Sequence, residues 1–60
     1  MNIKINIDCQ DEKDILIHLG VIRTQIKLAI KNNFYGKDKL ELVDDNFYGN
    51  HEIKINKKNN

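Results

Sequence analysis

Sixty residues with a formal charge of +1 make one domain near the lower size limit for independent folding. Cys9 is the only cysteine, so no disulfide can form within the chain, and no stretch approaches the ~20 apolar residues of a membrane span. The near-neutral charge gives no general electrostatic case for nucleic acid.

Domains of this size commonly rely on disulfides, a metal or a second subunit. The first is excluded and no metal-binding spacing supports the second, so self-association is the expected remedy. The lone cysteine suits a reducing, cytoplasmic setting. Ile, Lys and Asn supply 28 of the 60 residues, and all have AT-rich codons, which fits a microbial or phage origin.

In chain order, Asn2-Ile3-Lys4-Ile5-Asn6-Ile7 alternates polar and β-branched residues, which predicts a strand with its isoleucines facing the core. This opening has no continuous apolar run of the kind a signal peptide needs. Asp11 is the expected N-cap of a helix running from about Glu12 to Asn32, with Glu12 and Asp14 at the positive end of its dipole and Asn33 or Gly36 ending it.

At about 100° per residue, Ile15, Leu19, Ile22, Ile26, Ala29 and Ile30 form an apolar stripe, expected to cover a sheet. A second stripe, Ile17, Val21, Thr24 and Leu28, lies almost opposite. Polar flanks separate them: Gly20, Arg23, Lys27 and Lys31 on one side, Asp14, His18, Gln25 and Asn32 on the other. One sheet can bury one stripe, so the second is the expected interface with another protein.

Lys39 to Val43 and Glu52 to Asn56 read as two strands of a hairpin around Asp45–Asn50. Pairing residues whose numbers sum to about 95 sets Leu40 against Ile55, Leu42 against Ile53 and Glu41 against Lys54. The expected fold class is α+β: a single β-α-β-β domain over residues 1–56, with one long amphipathic helix on one face of a three-stranded, mainly antiparallel sheet. The last strand is expected in the centre, with the adjacent order 1-2-3 as the alternative, and residues 57–60 read as a polar tail.

All four Phe and Tyr residues fall in two copies of one tetrapeptide, Asn33-Phe34-Tyr35-Gly36 and Asn46-Phe47-Tyr48-Gly49. Phe34 and Phe47 are expected to close the ends of the core, Tyr35 and Tyr48 to offer contacts, and the glycines to supply positive φ. Arg23, Lys27 and Lys31 form a basic helix flank that could hold phosphates, although a solvated flank is the ordinary reading.

No nucleophile–base arrangement and no phosphate loop is present. Cys9 has no histidine near it in sequence and is crowded by Asp8, Asp11 and Glu12. Asp44, Asp45, His51 and Glu52 bracket the hairpin turn without a metal-ligand pattern, and His18 reads as a residue at the edge of the core. The chain is therefore expected to be a non-catalytic binding protein without cofactor or metal, a homo-oligomer acting as an adaptor or inhibitor of a larger protein. The alternative is a nucleic-acid-binding module using Arg23, Lys27 and Lys31 with Tyr35 and Tyr48. A second alternative is an oligomeric small-ligand carrier, since the order of elements is similar to that of the flavin-storing dodecins. No motif accompanies that similarity, and the tryptophan that stacks on flavin there has no counterpart here.

Overall fold

The computed structural model describes residues 1–58. Strand β1 (Asn2–Asp8) leads into helix α1 (Glu12–Lys31), a single turn (Asn33–Gly36), and strands β2 (Lys39–Asn46) and β3 (Gly49–Asn56). The sheet order is β1-β3-β2, with both edge strands antiparallel to the central β3. Of the expected polar tail, Asn59 and Asn60 lie outside the described residues. Lys57 and Lys58 are tied down: Lys57 N–H donates to the Asp38 carbonyl (2.8 Å), and Lys58 Nζ lies 3.2 Å from the Asp38 carboxylate.

The register follows the side-chain alternation. Ile55 lies between Ile3 and Leu40, and Ile53 between Ile5 and Leu42, so all six point to the face that α1 covers. Glu41 and Lys54 are cross-strand partners on the outer face, but Lys54 Nζ turns along its own strand to Glu52 (3.7 Å). Both groups of that ion pair are substantially exposed, where such pairs contribute little.

Helix α1 starts as its sequence predicts, with the Asp11 carboxylate accepting from Lys13 N–H (3.0 Å). It ends at Lys31 with Asn32 as C-cap, whose backbone and side-chain N–H groups both donate to the Leu28 carbonyl (3.0 and 2.8 Å), before the backbone turns left-handed at Asn33. Four successive positive φ angles follow, 53°, 53°, 54° and 74° at Asn33 to Gly36. Such a left-handed turn costs about 1–2 kcal/mol per non-glycine residue. Its return includes the placement of Phe34, which packs against the core with Lys57 Nζ 5.0 Å from its ring centroid.

The second tetrapeptide takes a different backbone. Only Gly49 has positive φ there (118°), and Tyr48 N–H donates to the Asn46 side chain (2.8 Å). Phe47 does not close the core as expected; it is 96 % exposed, stacked edge-on against Tyr48. An Asn-anchored turn between β2 and β3 projects its first aromatic outward, whereas the left-handed turn folds Phe34 back under the helix.

The core consists of Ile22, Ile53 and Ile55, with Ile7, Ile26, Phe34, Leu40 and Leu42 packed around them and Ala29 buried beneath the helix. The helix is rolled relative to the expected stripe. Ile22, Ile26 and Ala29 face inward, but Ile15, Leu19 and Ile30 are exposed. In their place the flank bearing Asp14, His18 and Gln25 turns toward the sheet. The physical reason is hydrogen bonding: His18 and Gln25 find partners on β3, β2 and the hairpin turn, and burying them satisfied avoids the cost of a stranded polar group.

Candidate functional site

Two features stand out, an exposed apolar surface centred on α1 and a buried polar chain beneath it. Among the described residues, four apolar side chains are buried, whereas thirteen large apolar ones are exposed. The chain exposes 4799 Å² in all. Mass scaling for a folded monomer of 7.1 kDa gives about 4,100 Å². A thin two-layer fold with one helix accounts for the excess, because a single helix cannot roof three strands.

The uncovered part is specific. Ile3 and Ile5 point to the helix side of the sheet yet remain 48 % and 46 % exposed. On α1, Ile17 and Leu28 are exposed and Val21 is half-buried on one flank, while Ile15, Leu19 and Ile30 are exposed on the other. Thr24 is exposed with its hydroxyl donated back to the Gly20 carbonyl (3.2 Å), leaving the ridge between Ile17 and Leu28 largely apolar. Ile17, Val21, Thr24 and Leu28 thus share one helix flank at 4-3-4 spacing, with the solvent side open.

Arg23, Lys27 and Lys31 lie along the outward side of α1 and are exposed. The ion pairs of the described residues involve Lys13, Lys54 and Lys58, and none of this row. Tyr35 and Tyr48 are both about half exposed, but they sit at opposite ends of the helix. Tyr35 follows its C-terminus, whereas the carbonyl of Tyr48 bonds His18 in its second turn. A rise of 1.5 Å per residue separates those ends by roughly 20 Å or more, so the two tyrosines cannot meet one small ligand.

Beneath the helix, His18 is fully buried and His51 is 2 % exposed. Their Nδ1 atoms lie 2.9 Å apart, with the rings at 89°. His18 Nε2 is 2.9 Å from the Tyr48 carbonyl, and His51 Nε2 is 2.7 Å from Gln25 Oε1. Gln25 Nε2 donates to the Val43 carbonyl (3.2 Å). The His51 pKa lies below the ordinary histidine value, because burial strips its hydration and the His18 ring adds repulsion; Asp44, its cross-strand partner, acts in the opposite sense.

His18 is therefore a core residue and not an edge residue. A signal for it existed: His18, Ile22, Gln25 and Ala29 follow 4-3-4 spacing, and His51 has the same strand parity as Ile53 and Ile55. Of the groups bracketing the hairpin, only Asp44 joins His51 on the inner face; Glu52 and Asp45 belong to the outer one. No group of three or more His, Cys, Asp or Glu side chains among the described residues is arranged to hold a metal ion. Cys9 is half-buried, with its thiol 3.6 Å from the Asp11 carbonyl.

A cleft of about 580 Å³ opens between the β1–α1 loop and the hairpin turn, bordered by Asp8, Asp11, Asp14 and Tyr48. Three aspartates make its rim acidic, and Gln10, Asn46 and Asn50 add amides. No helix among the described residues is long and apolar enough to cross a membrane. Compared with protein-family models, with curated proteins and with solved structures, the chain matches none.

Proposed function

We propose that the chain is a non-catalytic, cytoplasmic protein-interaction module that pairs with a second copy of itself through α1, and in that form acts as an adaptor or inhibitor of a larger protein. The observation that carries the reading is the apolar surface left over by the fold. Thirteen large apolar side chains are exposed among the described residues against four buried apolar ones, and Ile17 and Leu28 on one helix flank are among the exposed. The Ile17–Val21–Thr24–Leu28 flank is the core of the proposed interface; Ile15, Leu19 and Ile30 form a separate apolar flank on the other side of α1.

The test is solution mass together with two charge-insertion pairs, Ile17→Glu with Leu28→Glu, and Leu19→Glu with Ile30→Glu. All four positions are exposed, so the fold should tolerate the charges while a desolvated interface should not. An oligomer dispersed by the first pair supports the proposed core. An oligomer dispersed only by the second pair moves the interface to the other flank. A wild-type chain that is monomeric at every concentration overturns self-association.

A second reading is favoured by one observation, the unpaired row of Arg23, Lys27 and Lys31, each one helical turn from the next. Such a row fits a phosphate backbone, with the half-exposed Tyr35 in the turn just beyond its C-terminal end. Its affinity would fall steeply between low and moderate salt, whereas an apolar interface would barely respond.

A further inference from the structure

The buried polar chain has two ends that can only accept hydrogen bonds, the carbonyls of Tyr48 and Val43. Between them, His18, His51 and Gln25 make four links of 2.9, 2.9, 2.7 and 3.2 Å. Each link needs one hydrogen. A neutral imidazole carries one ring hydrogen, and the amide hydrogens of Gln25 sit on one nitrogen that serves one link. Two neutral histidines and the amide therefore supply three hydrogens to four links.

Exchange of ring tautomers only moves the shortage along the chain, and reversal of the amide moves it to the exposed Gln25–Val43 end, where it sets the Gln25 oxygen against the Val43 carbonyl. A bare link between the two rings sets two lone pairs against each other in the core, where an unsatisfied polar group is costly. Two added protons err the other way, placing N–H against N–H and two charges in contact. One added proton fills every link once.

We propose that His18 and His51 share one buried proton, as an imidazole–imidazolium pair that clamps α1 to β3 and makes the fold proton-linked. This does not depend on self-association. The charged groups facing the pair are few. From β2, Asp44 lies opposite His51, its carboxylate held by Asn46 Nδ2 (2.6 Å); from α1, the half-buried Asp14 precedes His18 by one turn. From β1, Ile7 lies opposite His51 and brings no charge, and the hairpin turn contributes the Tyr48 carbonyl. The Asp44 carboxylate acts on His51, and the Tyr48 carbonyl and Gln25 Oε1 accept at the two ends of the pair. Burial lowers the His51 pKa, the His18 ring lowers it further and Asp44 raises it, so the charge of the pair is opposed by desolvation and favoured by Asp44.

The sign of the pH dependence follows from proton counts. In the unfolded chain both histidines titrate near pH 6.5. Below that the unfolded chain binds two protons and the folded one holds one, so stability falls as pH falls. Above it the unfolded chain binds none and the folded one still holds one, so stability falls as pH rises. On either limb the folding constant changes by up to tenfold per pH unit.

Ring-nitrogen NMR of the full ¹⁵N-labelled chain at pH 7 tests the pair directly. The expected spectrum has both Nε2 atoms protonated and one hydrogen shared between the two Nδ1 atoms, with coupling across the bridge. Two neutral rings, each with a single protonated nitrogen, would overturn the proposal. Denaturant titrations from pH 5.5 to 8, referenced to the His18→Phe/His51→Leu double variant, should give a maximum near pH 6.5. A folding constant that climbs steadily with pH across that range would equally overturn it. Should the double variant fail to fold, the nitrogen spectrum of the unaltered protein decides.

Discussion

Replacing Gly49 with alanine probes the junction between the hairpin turn and the end of β1. Gly49 has φ of 118°, beyond the left-handed well that Asn or Asp can occupy. A Cβ built there would overlap the Asp8 carbonyl oxygen and lie 3.1 Å from Cys9 Cα. Both are backbone atoms, so no side chain can swing away. The conformational term costs about 1–3 kcal/mol, and forcing the turn off β1 adds about 1–3 kcal/mol of overpacking. A 60-residue domain has roughly 3–9 kcal/mol in total, so Gly49→Ala should remove a large part of it. Thermal unfolding followed by circular dichroism should show a fall in Tm of at least ~8 °C, since 1 kcal/mol is worth about 4–8 °C at this size. A variant melting within ~4 °C of the parent would show that the turn does not press on β1 as described.

Gly20 gives the opposite expectation: it lies inside α1 with open space where a Cβ would stand, so Gly20→Ala should stabilise by about 0.5–1 kcal/mol in the same melts. Gln25→Leu deprives His51 Nε2 and the Val43 carbonyl of their partner and should cost about 1–3 kcal/mol in denaturant titration. The two aromatic turns should respond unequally. Phe34→Ala should cost about 2 kcal/mol because the ring is packed but not fully buried. Phe47→Ala should stay within about 0.5 kcal/mol for an isolated chain, its ring being almost wholly exposed.

The elements and the hairpin register are legible in the sequence, whereas the central position of β3 is one of two strand orders it allows. Strict alternation at Ile3–Ile7, Leu40–Leu42 and Ile53–Ile55 leaves one pairing that puts every branched side chain on one face. The roll of α1 is not legible from hydropathy, because His18 and Gln25 count as polar there and their partners lie 33 and 26 residues away. Counting polar residues as outward turns Ile15, Leu19 and Ile30 to the core; pairing the histidines turns them to solvent. Likewise, identical tetrapeptides look equivalent on paper. Their context separates them, one following a helix and the other joining two strands. The apolar flank at Ile17 and Leu28 is visible in both views, since it lies outside the core whichever way the helix rolls.

Self-association is the claim on which the functional account rests, and solution mass by light scattering over a dilution series tests it most directly. At low and moderate salt alike, the account predicts a species of at least twice the 7.1 kDa chain mass, reverting toward the monomer with Ile17→Glu and Leu28→Glu. A single 7.1 kDa species at every concentration and both salt levels would contradict it.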